Sequence, residues 1–137
     1  IIAFVFKNHA KRGVLFALEI QRLIPIFNLH FNNDIEDDIV LRIALDTGKI
    51  RFFNDTGRII SEIINYAAHL EKKATKPGNI SISGRLSKVL NPEILQLFVP
   101  GGIYEDHDFY TTRYRLDTLV PHYENEIRLQ EEHENYA

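Results

Sequence analysis

The sequence predicts an α+β fold, a sandwich of one mainly antiparallel sheet with helices packed on one face. Three observations carry this expectation. Apolar residues repeat at helical three- and four-residue steps in two segments, strand-like runs of β-branched and aromatic residues separate them, and turn signals fall between the two kinds of segment. At 137 residues the chain suits one ordinary domain, long enough to bury roughly 65–70 % of its unfolded surface.

Taken in order, "IIAFVF" is six apolar residues, a length that fits a buried strand, and Lys7-Asn8-His9 turns the chain. From Ala10 to about Phe27, the positions Val14, Ala17, Leu18, Leu23 and Ile24 predict an amphipathic helix that Pro25 should bend or end. "FNNDIEDD" reads as a polar loop, and "IVLRIALDTGKIRFF" as a hairpin turning at Asp46-Thr47-Gly48-Lys49. Asn54 or Asp55 with Thr56 would cap the next helix, whose stripe is Ile59, Ile60, Ile63, Ile64, Ala67 and Leu70. Lys72, Lys73 and Lys76 suit its negative end, and Pro77-Gly78 its stop. "NISIS" alternates Ile80 and Ile82 with Ser81 and Ser83, a strand with one buried face. A short helical piece from about Leu86 precedes a second start at Asn91-Pro92-Glu93. "VPGG" should break the chain, and "IYEDHDFYTTRYRL" reads as two strands turning near Asp106-His107-Asp108.

Composition removes several classes of function. The net charge of −3 is uneven: residues 117–137 hold six acids against Arg128, leaving the rest near +2. No broad cationic footprint for nucleic acid results. The acidic stretch 117–137 reads as a solvated tail helix outside a domain spanning 1–116. No run approaches the roughly 18 apolar residues of a membrane span, so no membrane insertion is expected. The chain has no cysteine, which excludes disulfides, thiolate nucleophiles and zinc–thiolate sites and suits a cytoplasmic setting. It has no methionine either and opens inside an apolar run, so further chain is expected ahead of Ile1.

Familiar chemical motifs are missing: there is no Gly-rich phosphate loop, no His pair at metal spacing on a helix and no Gly-x-Ser-x-Gly elbow. The six histidines are scattered. Asp106-His107-Asp108 and Glu131-Glu132-His133 read as solvated segments. "NDIEDD" lacks the spacing and central glycine of a calcium loop. No metal ligand set is therefore assigned.

The most informative stretch lies within residues 41–83, "LRIALDTGKI" followed by "INYAAHLEKKATKPGNISIS". It resembles the catalytic domain of the class III nucleotidyl (adenylate/guanylate) cyclases. There a strand reading roughly Arg-Ile-Gly-Ile-His-Thr-Gly precedes a helix Val-Asn-x-Ala-Ala-Arg-Leu-Glu and then Ala-x-Pro-Gly-x-Ile-x-x-Ser. The matching residues are Arg42, Ile43, Thr47, Gly48, Asn65, Ala67, Ala68, Leu70, Glu71, Ala74, Pro77, Gly78, Ile80 and Ser83. With "IIAFVF", "ALEIQRLIPIFN" and "YTTRYRL" as flanking elements, the resemblance covers about residues 1–116. It implies a ferredoxin-like, cyclase-type sandwich.

The resemblance also implies a site at a head-to-tail dimer interface, as a homodimer or with another cyclase-like domain. There ATP or GTP would be cyclised by two Mg or Mn ions held on two aspartates. Both aspartates would precede Ile1. Asn65 matches the family's ribose-directed asparagine. His69 stands where the family has its transition-state arginine, and a histidine is shorter and lacks the guanidinium's fork of donors. Losing one such donor typically lowers rate by about 10²–10³. Arg58 falls at the base-selecting position, an aspartate in adenylate cyclases, and Ser61 replaces a glycine. The phosphate-binding lysine should fall near Glu105, in "GGIYEDHDFY", which has acids and no lysine. These departures imply a cyclase homology domain in intracellular signalling whose catalysis is impaired, acting by dimerisation or by nucleotide or partner binding. An active cyclase and an unrelated α+β binding module are the alternatives.

Overall fold

The computed structural model describes residues 1–34, 36–53, 58–60 and 62–118. Ile1–Phe6 forms no strand, contrary to expectation. Among the described residues it pairs with no strand; Phe4 places its ring 5.5 Å from that of Phe16 and close to Gly13, and Phe6 O accepts from His9 N at 3.1 Å. The first element is α1 (His9–His30), entered through Asn8 in the left-handed conformation at φ 60°. It runs through Pro25 rather than ending there. The turn beyond the proline is held by Asn28, whose Nδ2 donates to Ile39 O at 2.9 Å while its Oδ1 accepts from Ile39 N at 2.8 Å. Buried Gln21 and Ile24 anchor the turn before it.

The expected hairpin across Asp46–Lys49 is also corrected. β1 (Ile43–Leu45) and β2 (Arg51–Phe53) do not pair with each other. β1 runs parallel to β4 (Ile80–Ser83), with Ile43 opposite Ile80 and Leu45 opposite Ile82. β2 pairs antiparallel with β3 (Arg58–Ile60) in a separate two-stranded sheet. The cause is Asp46, whose carboxylate accepts from Thr47 N at 2.8 Å and from Ser83 Oγ, so that the chain is tied to the end of β4 instead of folding back. Ile59 and Ile60 consequently belong to β3, and α2 (Glu62–Ala74) begins later than the sequence suggests. The proposed caps at 54–56, and Ser61, lie outside the described residues.

α2 places Glu62 in its first turn and Lys72 and Lys73 in its last, in agreement with the helix dipole. Past its end, Gly78 takes φ +80°, donates to Leu41 O at 2.8 Å and accepts from Leu116 N at 2.9 Å. β4 follows, then α3 (Gly84–Ser87), capped by Ser83 Oγ accepting from Leu86 N at 3.1 Å. α4 (Pro92–Leu95) has its proline in the first turn; Asn91 occupies the cap but makes no side-chain cap bond. "VPGG" does not break the chain. β5 (Phe98–Tyr104) continues through it with an irregularity between Pro100 and Gly102 and pairs antiparallel with β6 (His107–Thr112). Gly101 is needed there because a Cβ would stand 2.3 Å from the Phe109 ring.

The four-stranded sheet has the order β1-β4-β6-β5. It is mixed rather than mainly antiparallel, since β1 and β4 are parallel while β6 opposes β4 and β5. Helices pack on both faces rather than one. Successive strand residues point to opposite faces, so Ile80 and Ile82 join Val14, Ala17 and Leu18 of α1, Leu86, Leu90, Ile94 and Phe98 in the larger core. On the other face Tyr66 and Leu70 of α2 pack with Phe109, Ala44 and Tyr104. β4 is therefore buried at all four residues, not on one face as its alternation implied. Among the described residues no helix is long and apolar enough to cross a membrane. Asp117 is buried and receives the Arg115 guanidinium at 2.5 and 3.0 Å; the expected tail helix lies outside the described residues.

Candidate functional site

α2 presents two faces at once. Tyr66 and Leu70 are drawn inward by apolar burial, and the same helical period leaves Asn65 and His69, four residues apart, on the exposed side. His69 does not stand alone. Its Nδ1–H donates to Glu105 Oε1 at 2.8 Å, with the two side chains 58 % and 45 % exposed.

Glu105 reaches this position through a two-residue turn. Glu105 and Asp106 both take positive φ, 49° and 64°, and join β5 to β6. That is the tight hairpin geometry whose twist matches the flanking strands. The turn is thus at 105–106, and His107 and Asp108 already belong to β6 rather than to the loop expected there.

Beneath the pair lies an aromatic layer. The Tyr66 ring, 5 % exposed as a residue, meets His107 edge-on at 5.4 Å and Tyr104 at 6.3 Å. The Arg85 guanidinium stands 6.0 Å from its centroid. Burial, and then the carboxylates of Asp46 and Glu105, raise the Tyr66 pKa above its ordinary value of 10.0.

Arg85 is in turn held by Asp46, whose side chain is 0 % exposed. Nε donates to Oδ1 at 2.7 Å and a terminal nitrogen to Oδ2. This fork raises the Arg85 pKa, the hydrogen bond to Asp46 being the main cause. Asp46, Ser83 and Arg85 thereby form a chain of polar contacts from the ends of β1 and β4 to the Tyr66 ring. The sequence alone assigns Asp46 only to a turn and singles out neither Tyr66 nor Arg85. The signal available was that Asp46 and Ser83 close two adjacent parallel strands at their carboxyl ends, where side chains from separate strands converge.

Of the residues singled out from sequence, Asn65 and His69 share one face of α2, and Glu105 joins His69. Arg58 opens β3, opposite Phe53, and its side chain lies outside the described residues. A cavity of about 620 Å³ opens elsewhere, at the start of α1, lined by Asn8, His9, Lys11, Thr47, Gly48 and Asn91 among others; neither Asn65 nor His69 lines it. Among the described residues no three His, Cys, Asp or Glu side chains converge as ligands for a metal ion. The chain matches no family model, no curated protein and no solved structure.

Proposed function

We propose that this chain is a divergent class III nucleotidyl cyclase homology domain of an intracellular, cytoplasmic signalling protein. It is catalytically impaired, and it acts by pairing with a second cyclase-like domain or by binding nucleotide or a partner. One observation carries the reading: the His69–Glu105 contact at 2.8 Å. In the family the helix position of His69 carries an arginine, and the stretch around Glu105 a lysine, both directed at the charge that develops on a triphosphate.

In this chain the two positions satisfy each other. A carboxylate stands where a cation would attract phosphate, and the imidazole's Nδ1–H is committed to it. Fixed cations aimed at developing charge are among the largest sources of rate in such chemistry. A site that directs an acid there forfeits that source and repels a triphosphate at short range.

The test is to incubate the intact protein with ATP or GTP and manganese and follow cyclic nucleotide. The expected result is no steady product, from the wild type and equally from His69→Arg, because the new guanidinium would still face Glu105. Steady cyclic nucleotide from the wild type would overturn the reading. Product from His69→Arg alone, abolished by Asn65→Ala, would favour a working, divergent cyclase instead.

A further inference from the structure

The cavity of about 620 Å³ at the start of α1 takes no part in the chemistry of the α2 face. Its volume falls within the roughly 300–1,000 Å³ of small-molecule sites. Three segments distant in sequence line it: Asn8, His9 and Lys11 at the start of α1, Thr47 and Gly48 after β1, and Asn91 ahead of α4. His9 ties the first two together. Its Nδ1–H donates to Phe6 O at 3.2 Å, which leaves Nε2 of the neutral ring to accept from the Thr47 hydroxyl at 3.2 Å.

The lining carries uncommitted donors. Asn8 and Asn91 both occupy helix N-caps, where an asparagine side chain ordinarily accepts from the backbone of its own helix, yet neither makes that bond. The side chains of Asn8, Lys11 and Asn91 have no hydrogen-bond or ion-pair partner among the described residues. No carboxylate lines the cavity, so nothing there would hold a cation. Basic residues stand beside every lining segment instead: Lys7 and Arg12 flank the first, Lys49 follows the second and Lys88 lies three residues before Asn91, all of them exposed. Of the acids in the same stretches, Asp46 is taken by Ser83 and Arg85, which leaves Glu93. This local excess of positive charge arises in a chain of net charge −3.

We propose that the cavity binds a small molecule through a phosphate group. A phosphomonoester carries a charge of about −1.5 to −2 at neutral pH and three strongly accepting oxygens. It calls for several donors and more than one cation, where a planar carboxylate calls for fewer. Lys11 and the two asparagine amides reach the cavity from separate segments, an arrangement that suits a tetrahedral anion. The basic cluster is confined to one concave site, unlike the extended footprint that a nucleic-acid backbone requires. The inference is independent of the cyclase likeness, because neither Asn65 nor His69 lines this cavity.

Titrating the isotopically labelled intact chain with inorganic phosphate, against sodium chloride at matched ionic strength, tests the proposal by NMR. Phosphate alone should shift the side-chain amide signals of Asn8 and Asn91 along a saturating curve. Lys11→Glu should weaken this binding at least about tenfold, and so should Asn8→Ala with Asn91→Ala, which removes no cap bond. Lys72→Glu, in the last turn of α2, should leave it unchanged, and circular dichroism checks that each variant keeps its fold. A second titration with glycerol phosphate separates the sources of the group: tighter binding than that of inorganic phosphate assigns an organic phosphomonoester, and equal binding assigns free phosphate. Absence of saturation, or shifts that chloride reproduces, overturns the proposal. Binding indifferent to Lys11→Glu, or abolished by Asn65→Ala, overturns it equally, the latter by moving the phosphate to α2.

Discussion

Tyr66 is the residue at which burial and polarity conflict most directly. Its hydroxyl is buried and makes no hydrogen bond among the described residues, and an unpartnered buried hydroxyl costs about 1–3 kcal/mol of lost hydration. Tyr66→Phe keeps the ring contacts with Tyr104 and His107 and removes that cost. The variant is expected to be as stable as the wild type or more stable by about 1 kcal/mol at neutral pH, measured by urea unfolding. The raised Tyr66 pKa adds a second readout. Above pH 10 the unfolded chain loses its proton first, so this contribution is complete below pH 10 and falls away as pH rises through the folded value. Tyr66→Phe should flatten the alkaline loss of stability, and tyrosinate absorbance should lose one component that titrates above the ordinary value of 10.0. A variant that is several kcal/mol less stable would mean that the hydroxyl has a partner after all.

At the level of elements, the turn after α2 depends on one glycine. Gly78 holds φ +80°, and a Cβ there would lie 2.3 Å from Asp117 Oδ1 and 2.5 Å from the Arg115 side chain. Gly78→Ala should therefore combine backbone strain with displacement of the Arg115–Asp117 pair, costing about 2–3 kcal/mol in thermal or urea unfolding. A loss below about 0.5 kcal/mol would show that the turn relaxes freely. Pro77-Gly78 was legible in the sequence for the same reason, since a glycine after a proline and a run of lysines has few other meanings. Helix α2 and β4 were legible from periodicity, and a strand pair near residue 106 from its aromatic and β-branched content, but not that β5 runs on through Pro100 and Gly101. What could not be read was which strands meet. Asp46-Thr47-Gly48-Lys49 has the composition of a hairpin turn, but the Asp46 carboxylate is taken by Ser83 and Arg85, distant in sequence. "IIAFVF" has the composition of a strand, yet a strand needs a neighbour that composition does not supply. At the candidate site the sequence singled out Asn65, His69 and the neighbourhood of Glu105. It missed Tyr66 and Arg85 because one resembles a core aromatic and the other a surface charge.

Across the whole molecule, β4 is the element that couples the two sides. Its residues alternate between the α1 core, through Ile80 and Ile82, and the α2 face, through Ser81 and Ser83. The residues opposite Ser81 and Ser83 on the neighbouring strands include Ala44 and Phe109 of the second cluster. Neither face can lose its helix without exposing this shared strand, so the two clusters should melt as one unit. Leu70 and Ile82 are both 0 % exposed, one in each cluster, and truncating a buried residue of this size to alanine typically costs about 2–5 kcal/mol. Leu70→Ala and Ile82→Ala should each shift a single urea transition to lower denaturant with its slope unchanged. Far-ultraviolet circular dichroism, which follows the helices, should coincide with the near-ultraviolet signal of the tyrosines. Tyr66 and Tyr104 report from one cluster and Tyr110 packs against the other. If Leu70→Ala split the unfolding into two transitions, with the tyrosine signal lost first, the α2 face would be a separate unit resting on an independently stable α1 core. The His69–Glu105 contact would then open and close without the rest of the fold.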